Sequence, residues 1–376
     1  MKLGNLNENI LKNAFPCITC GYCRDGCVIS RYYGFEPQLL PVMRLYSADQ
    51  VRYKLFTLSN DLLDNLYLCT NCGYCTEVCP QTLDFAQLIL KSRSELRLAG
   101  LKARQVFENA KTHIEQCENP YGEHRRGKTE WLNELDFKVP NKANTMFFVG
   151  CTIAYKMKEI AVSTAKVLHR GGIDFGVLGE QEPCCGLILL QTGFLDQAKD
   201  QAKKTLDLLK DVKEVVIACA GCYRTFKKDF PEIYGDLPFK VTHTTNYILN
   251  LIKYKKLKLN EVNMKVTYHD PCELGRHSGV YNAPREILTA IPKLELVEMD
   301  PTRHLSWCCG AGGGVKMAFP RLAVDIASEK IELALDTGTE AIVTACPLCK
   351  MNLKDAAKGN INVYSIEEIV ARSLRL

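Results

Sequence analysis

Eighteen of the nineteen cysteines in this 376-residue chain fall into four spaced groups, and that spacing constrains the fold more than any other feature. Cys17, Cys20, Cys23 and Cys27 read C-x2-C-x2-C-x3-C; Cys69, Cys72, Cys75 and Cys79, followed by Pro80, repeat it. Further on, Cys151, the adjacent Cys184 and Cys185, and Cys219 with Cys222 form one quintet. Cys272, Cys308, Cys309, Cys346 and Cys349 form another. Corresponding cysteines are offset by 121 (Cys151 to Cys272), 124 (Cys185 to Cys309) and 127 residues (Cys222 to Cys349), which marks an internal duplication. The chain must fold so that distant thiols converge twice in the same manner.

No apolar run approaches the length of a membrane-spanning helix, and "MKLGNLNENILKN" lacks the apolar stretch of a signal peptide. A cytoplasmic location is expected, peripheral to the membrane at most through a partner subunit. In a reducing compartment clustered thiols serve as metal ligands rather than disulfides. The first two motifs have the spacing that holds iron-sulfur cubes, three cysteines wrapping one cube while the fourth reaches the other. Cys17, Cys20 and Cys23 are thus paired with Cys79, and Cys69, Cys72 and Cys75 with Cys27. Zinc usually takes two separated CxxC pairs and fits this spacing poorly. A net charge of +5, scattered along the chain, does not point to nucleic acid and suits an anionic small substrate.

The expected fold is α+β and multidomain. Residues 1–105 read as an all-helical two-cluster ferredoxin domain, because the insert between the two motifs carries apolar residues at helical spacing. Residues 106–143 read as a helix followed by a polar linker running over the surface. Residues 144–262 and 263–376 read as two α/β copies with mostly parallel sheets, apolar strands alternating with amphipathic helices. In each copy the cysteines fall just past strand ends, where open α/β sheets gather ligand-binding loops. Gly186 and Gly310 follow the adjacent pairs and are read as letting backbone approach a bulky inorganic group. Five thiols exceed by one the need of a four-iron cube. Either one is a bystander or the cluster is not a simple cube. Cys117 has no partner in any motif and is assigned no role.

The quintets, Cys-x32-Cys-Cys-x33-Cys-x2-Cys and Cys-x35-Cys-Cys-x36-Cys-x2-Cys, resemble the CCG domain of heterodisulfide reductase and its relatives. With two ferredoxin motifs upstream on one chain, the layout resembles the D-type subunit of that family, departing from it at Val28, where the first motif lacks the proline seen at Pro80. The resemblance implies two cubane 4Fe-4S clusters on the first eight cysteines. It also implies two noncubane 4Fe-4S clusters, one on each quintet, flanking the disulfide of coenzyme M and coenzyme B. The ten quintet cysteines would then be both metal ligands and the catalytic set. Similar CCG proteins imply an alternative: an electron relay serving a flavin enzyme, as in glycolate, lactate or glycerol-3-phosphate dehydrogenases or thiol-dependent fumarate reductase. Either way the chain carries no flavin or nicotinamide motif, so an electron-donating partner is expected: a membrane cytochrome b, a flavoprotein or a hydrogenase module.

An anionic disulfide substrate needs a cation near the clusters. Arg224 and Lys350, which follow the CxxC pairs, and Arg276, beside His277, are the candidates, with Arg276 slightly favoured; the competing reading for each of the three is a solvated surface charge. His269 reads as a core histidine with its hydrogen bonds met, and its other reading, with Asp270, is orienting backbone or donating a proton to a leaving thiolate. The glycines of "AGGGV" (311–315) read as giving the cluster room.

Overall fold

The computed structural model describes residues 17–50 and 59–376. Residues 1–16 and 51–58 lie outside that description, and with them the start of the expected ferredoxin domain and the middle of its helical insert.

Two four-stranded sheets carry the C-terminal part, both wholly parallel. In the first, β1 (Thr145–Phe148), β2 (Phe175–Gly176), β3 (Glu214–Ile217) and β4 (Lys240–His243) lie in the order β2-β1-β3-β4. In the second, β5 (Met264–His269), β6 (Leu294–Leu296), β7 (Ala341–Thr344) and β8 (Asn362–Ser365) lie in the order β6-β5-β7-β8. Runs such as EVVI and AIVT are apolar without alternation, as strands covered on both faces must be. The registers correspond: Phe148 stands opposite Ile217 in the first sheet and His269 opposite Thr344 in the second. In each sheet the strand order reverses at its first strand, so loops leaving adjacent carboxyl ends open onto one crevice.

The helices cover the sheets through apolar stripes. Leu195–Leu209, for example, buries Ala198, Ala202, Thr205 and Leu209 at steps of three and four. The two copies pack reciprocally. Lys158–Arg170, which follows β1, lies on Ile366–Ser373, which follows β8; Asn282–Ala290, which follows β5, lies on Thr244–Lys253, which follows β4. A single apolar core therefore runs through both sheets, from Met146 and Val215 to Val266 and Ile342.

Among the described residues before Thr145 there is no strand. Asn60–Tyr67 is capped by the Ser59 hydroxyl and Phe85–Leu98 by the Asp84 carboxylate. Each CGYC stretch turns sharply into a four-residue helix, Tyr22–Asp25 or Tyr74–Glu77. Gly21 and Gly73 take φ of 84° and 72°, which glycine alone adopts without strain. The segment expected to cross the surface does not. Asn119, Lys128 and Trp131 are buried, and Trp131 meets Phe147 of β1 edge to face at 6.2 Å. Its polar sequence hides that its amides and lysine are spent inside: Lys128 donates to the carbonyls of Glu118 and Glu182, and Asn119 donates to those of Cys117 and Glu123. No helix among the described residues is long and apolar enough to cross a membrane.

Candidate metal centres

Each sheet presents its five cysteines from the same three loops. In the first copy Cys151 opens the helix Cys151–Lys156 after β1, Cys184 and Cys185 sit in the loop after β2, and Cys219 caps the helix Ala220–Arg224 that carries Cys222. In the second, Cys272 lies in the turn after β5, Cys308 and Cys309 lie after β6, and Cys346 caps Pro347–Ala357, which carries Cys349.

The thiols press on one another. Cys309 and Cys349 are 3.3 Å apart, sulfur to sulfur. Cys151 lies against Cys184, Cys185 against Cys222, and Cys272 against Cys308. Cys219 of the first copy lies against Cys346 of the second, so the quintets touch. A single cavity of about 430 Å³ is lined by every one of these ten cysteines except Cys308.

In the N-terminal unit Cys27, Cys69, Cys72 and Cys75 line one small cavity. Cys17, Cys20 and Cys23 form a neighbouring group, and Cys17 and Cys79 pack against the same helical core. Burial, with Cys27, Cys17 and Cys20 close by, pushes the Cys23 thiol up to about 12. Cys72 faces Cys308 of the second copy, and its thiol is held well above the usual range, first by that hydrogen bond and then by burial.

Eighteen thiols gathered in these groups, most with little water, fit bound soft metal groups. Burial pushes most of these thiols up, while bonds from neighbouring thiols hold Cys185, Cys219 and Cys309 down, and thiolates are the preferred ligands of iron-sulfur clusters. Lys316 is the only lysine or arginine among the described residues lining the large cavity, and it is paired with Asp355 at 2.6 Å.

Several residues singled out in the sequence are placed differently from expectation. Arg276 stands beside the Cys72, Cys272 and Cys308 thiols, as expected of a cation near the clusters, but does not line the cavity. Its guanidinium donates to the carbonyls of Cys72 at 2.7 Å, Ser306 at 2.7 Å and His304 at 3.1 Å, joining the ferredoxin-like unit to the second copy. Arg224 and Lys350 are not surface charges. Arg224 is buried between Glu273 and Asp229, while Lys350 bridges the copies by donating to Glu159 at 2.6 Å and Glu368 at 2.7 Å. Asp270 is held in a two-pronged pair with Arg285, and His277 bonds the Asn71 carbonyl. His269 is buried with neither ring nitrogen partnered, the reverse of a satisfied core histidine, and burial lowers it to about 3.

The glycines also serve other ends. Gly186 and Gly310 take φ of 81° and 86° and point their amides at the Cys184 and Cys308 sulfurs, at 3.5 and 3.4 Å. The glycines of 312–314 make room for protein, since a Cβ on Gly313 would overlap the Cys69 carbonyl and one on Gly314 would lie 2.9 Å from Phe107, and Gly312 and Gly314 also line the large cavity. A further position that brings backbone up to a thiol is Gly150, missed in the sequence, where a Cβ would lie 3.1 Å from the Cys222 sulfur. Arg93 was missed as well. Buried, it donates to the carbonyls of Leu66, Cys69, Gln191 and Gly313 and so clamps all three units together. A glycine directly before a motif cysteine is a legible signal; an arginine inside a helix is not.

Comparison with known proteins bears on the same residues. A 4Fe-4S dicluster domain model matches residues 13–83, and a cysteine-rich CCG domain model matches 145–227 and 266–354. The chain is 36% identical to the D-type subunit of dihydromethanophenazine:CoB–CoM heterodisulfide reductase of Methanosarcina barkeri, over 99% of this chain and 97% of that one. It is 35% identical to the same protein of Methanosarcina mazei with the same coverage. It is 31% identical to the B-type subunit of fumarate reductase (CoM/CoB) of Methanothermobacter marburgensis over 94% of this chain and 71% of that one. A helical dicluster unit, two parallel cysteine-bearing sheets and full-length similarity agree: the chain is an iron-sulfur oxidoreductase belonging to the family of D-type heterodisulfide reductase subunits.

Proposed function

We propose that the chain is the disulfide-cleaving subunit of a reductase. Its substrate is the disulfide of coenzyme M and coenzyme B or a related anionic thiol-disulfide couple. On this reading Cys17, Cys20, Cys23 and Cys79 hold one cubane 4Fe-4S cluster, and Cys27, Cys69, Cys72 and Cys75 hold the other. Cys151, Cys184, Cys185, Cys219 and Cys222 hold one noncubane 4Fe-4S cluster; Cys272, Cys308, Cys309, Cys346 and Cys349 hold the second. The observation that carries the reading is the single cavity of about 430 Å³ onto which both quintets open. When bound, such clusters pass electrons singly, and cleaving an S–S bond to two thiols takes two electrons and two protons.

The chain's own residues support each part of that task. Leu187, Ile188, Leu348 and Met351 line the cavity and keep water from the sulfur bond. Lys316, at the cavity wall, would anchor an anionic substituent by exchanging its Asp355 partner for it, whereas Arg276 is spent on three buried carbonyls. Cys72 touches Cys308 and Cys219 touches Cys346, so the residues that would hold the clusters form a continuous series from the ferredoxin-like unit through the second quintet to the first, along which bound clusters would pass electrons. The donor is a separate protein: a membrane cytochrome b, a flavoprotein or a hydrogenase module. The chain is cytoplasmic, or peripheral to the membrane through that partner.

The test is an anaerobic assay of the purified chain with reduced viologen and the coenzyme M–coenzyme B disulfide. Turnover without any partner is expected. Full cluster reduction with no thiol formed, restored only by a flavoprotein acting on a different substrate, would make the chain a relay.

A further inference from the structure

The duplication provides an internal control for one residue. Cys151 and Cys272 correspond, and three positions before each stands a strand-ending residue: Phe148 in the first copy, His269 in the second. Sheet register confirms the equivalence, since Phe148 lies opposite Ile217 of β3 and His269 opposite Thr344 of β7. Both side chains are buried at 1% exposure.

A phenyl ring needs no hydrogen bond there. An imidazole does, because each ring nitrogen is either a donor or an acceptor, and buried polar atoms are rarely left without a partner. Neither nitrogen of His269 finds a partner in the protein. A ring nitrogen of His269 and the sulfurs of Cys309 and Cys349 all lie within 4.8 Å of one another, the span of ligand atoms around one metal. Lys330, Asp270, Cys346 and Arg276 stand near the ring, but none of them bonds either nitrogen, and the groups at ligand distance are two thiols of the second quintet.

We propose that a ring nitrogen of His269 bonds the inorganic group held by Cys309 and Cys349, so that the second centre has a nitrogen contact and the first, with Phe148 in the same place, has none. The two centres are then chemically unequal despite their matched thiols. A nitrogen contact shifts the reduction potential of an iron-sulfur centre. The inference rests on reading the second quintet as a cluster site.

Pulsed EPR of the reduced holoprotein, prepared with histidine labelled with nitrogen-15 in the ring, tests it. A labelled-nitrogen hyperfine coupling is expected in the wild type. It should be lost in His269→Phe and retained in His277→Gln, which removes the other imidazole beside a cysteine motif. If His269→Phe does not retain iron, His269→Gln gives the same readout, because its amide is unlabelled. Absence of any coupling in the wild type, or its persistence in the His269 variants, overturns the proposal. Cys309→Ser separates the two readings: unchanged iron and sulfide content in that variant would overturn the cluster reading itself, whereas loss of iron with no histidine coupling in the wild type would overturn only the nitrogen contact.

Discussion

The first quintet is walled by Phe148, Tyr121 and the Glu182 carboxylate, the second by His269, the buried Lys330 and the loop that carries Cys72. Their thiols and sheet positions match, yet their surroundings share almost nothing. Glu182 accepts from the amides of Val149 and Gly150; at the corresponding place Ser306 meets the Lys330 ammonium at 3.1 Å. The skeleton that gathers sulfur is thus copied, while the shell around it has diverged. The second copy faces the ferredoxin-like unit through Cys308 and Arg276. The first touches the second through Cys219 and Cys346, and meets the ferredoxin-like unit by packing Cys184 into the same apolar cluster as Cys69, Cys75 and Cys79.

The sharpest way to break this comparison is to remove one quintet at a time. Cys185→Ala and Cys309→Ala are each expected to lower disulfide reduction by more than about 100-fold, since loss of a ligand disables the centre it holds. Iron and sulfide content and steady-state thiol production check the effect. Undiminished turnover in Cys185→Ala would show that only the second copy acts on the substrate. Dye reduction of the ferredoxin-like centres should survive in both variants.

Next in size is the clamp that holds both copies to the helical unit. Arg93→Met removes the donor from four buried carbonyls, those of Leu66, Cys69, Gln191 and Gly313. A loss of roughly 3 kcal/mol or more is expected, because unmet buried acceptors are costly. Anaerobic urea denaturation measures it. Gln191 belongs to the first copy and Gly313 to the second, so a variant that loosens only one copy would rank the two contacts.

The glycines after the cysteine pairs compare the copies directly. Alanine at Gly186 would meet only ordinary contacts, 3.5 Å or more away, so the cost is the left-handed φ alone, about 1 kcal/mol. Alanine at Gly310 would add a 2.9 Å approach to the Ala323 carbonyl and the Ile326 side chain. Gly310→Ala is therefore expected to cost about 2 to 3 kcal/mol in the same urea experiment. Equal losses would mean that the helix beneath Gly310 gives way.

What the sequence discloses here is the part written in local spacing. The cysteine motifs, the 121-, 124- and 127-residue offsets and the unbroken apolar strands suffice for the family and the paired α/β architecture. What it conceals depends on partners far along the chain. Lys350 reads as a surface charge because Glu159, its partner, is 191 residues away. The glycines of 312–314 read as room for a ligand because the Cys69–Thr70 loop they accommodate belongs to another domain. Trp131 reads as linker because nothing in a polar stretch announces that β1 will cover it. His269 is the subtler case: its neighbours in sequence are unremarkable, and only the sheet register shows that it replaces a phenylalanine.

The smallest effect concerns the strand ends on the far side of each sheet, where His243 closes β4 and Ser365 closes β8. Both cap the following helix, His243 by accepting from the Thr245 amide and Ser365 from the Glu368 amide. They differ in titration. Burial lowers His243 to about 3, so folding favours its neutral form. Its contribution is complete above the unfolded value near 6.5 and is lost as pH falls from there toward 3, amounting to about 1.4 kcal/mol by pH 5.5. His243→Ser makes the first copy resemble the second while keeping a cap. The holoprotein's urea midpoint should fall less between pH 7.5 and pH 5.5 in that variant than in the wild type, by the equivalent of about 1 kcal/mol. An unchanged pH dependence would mean that His243 gains a proton in the folded state without penalty, and that the strand ends of the two copies are alike in charge as well as in place.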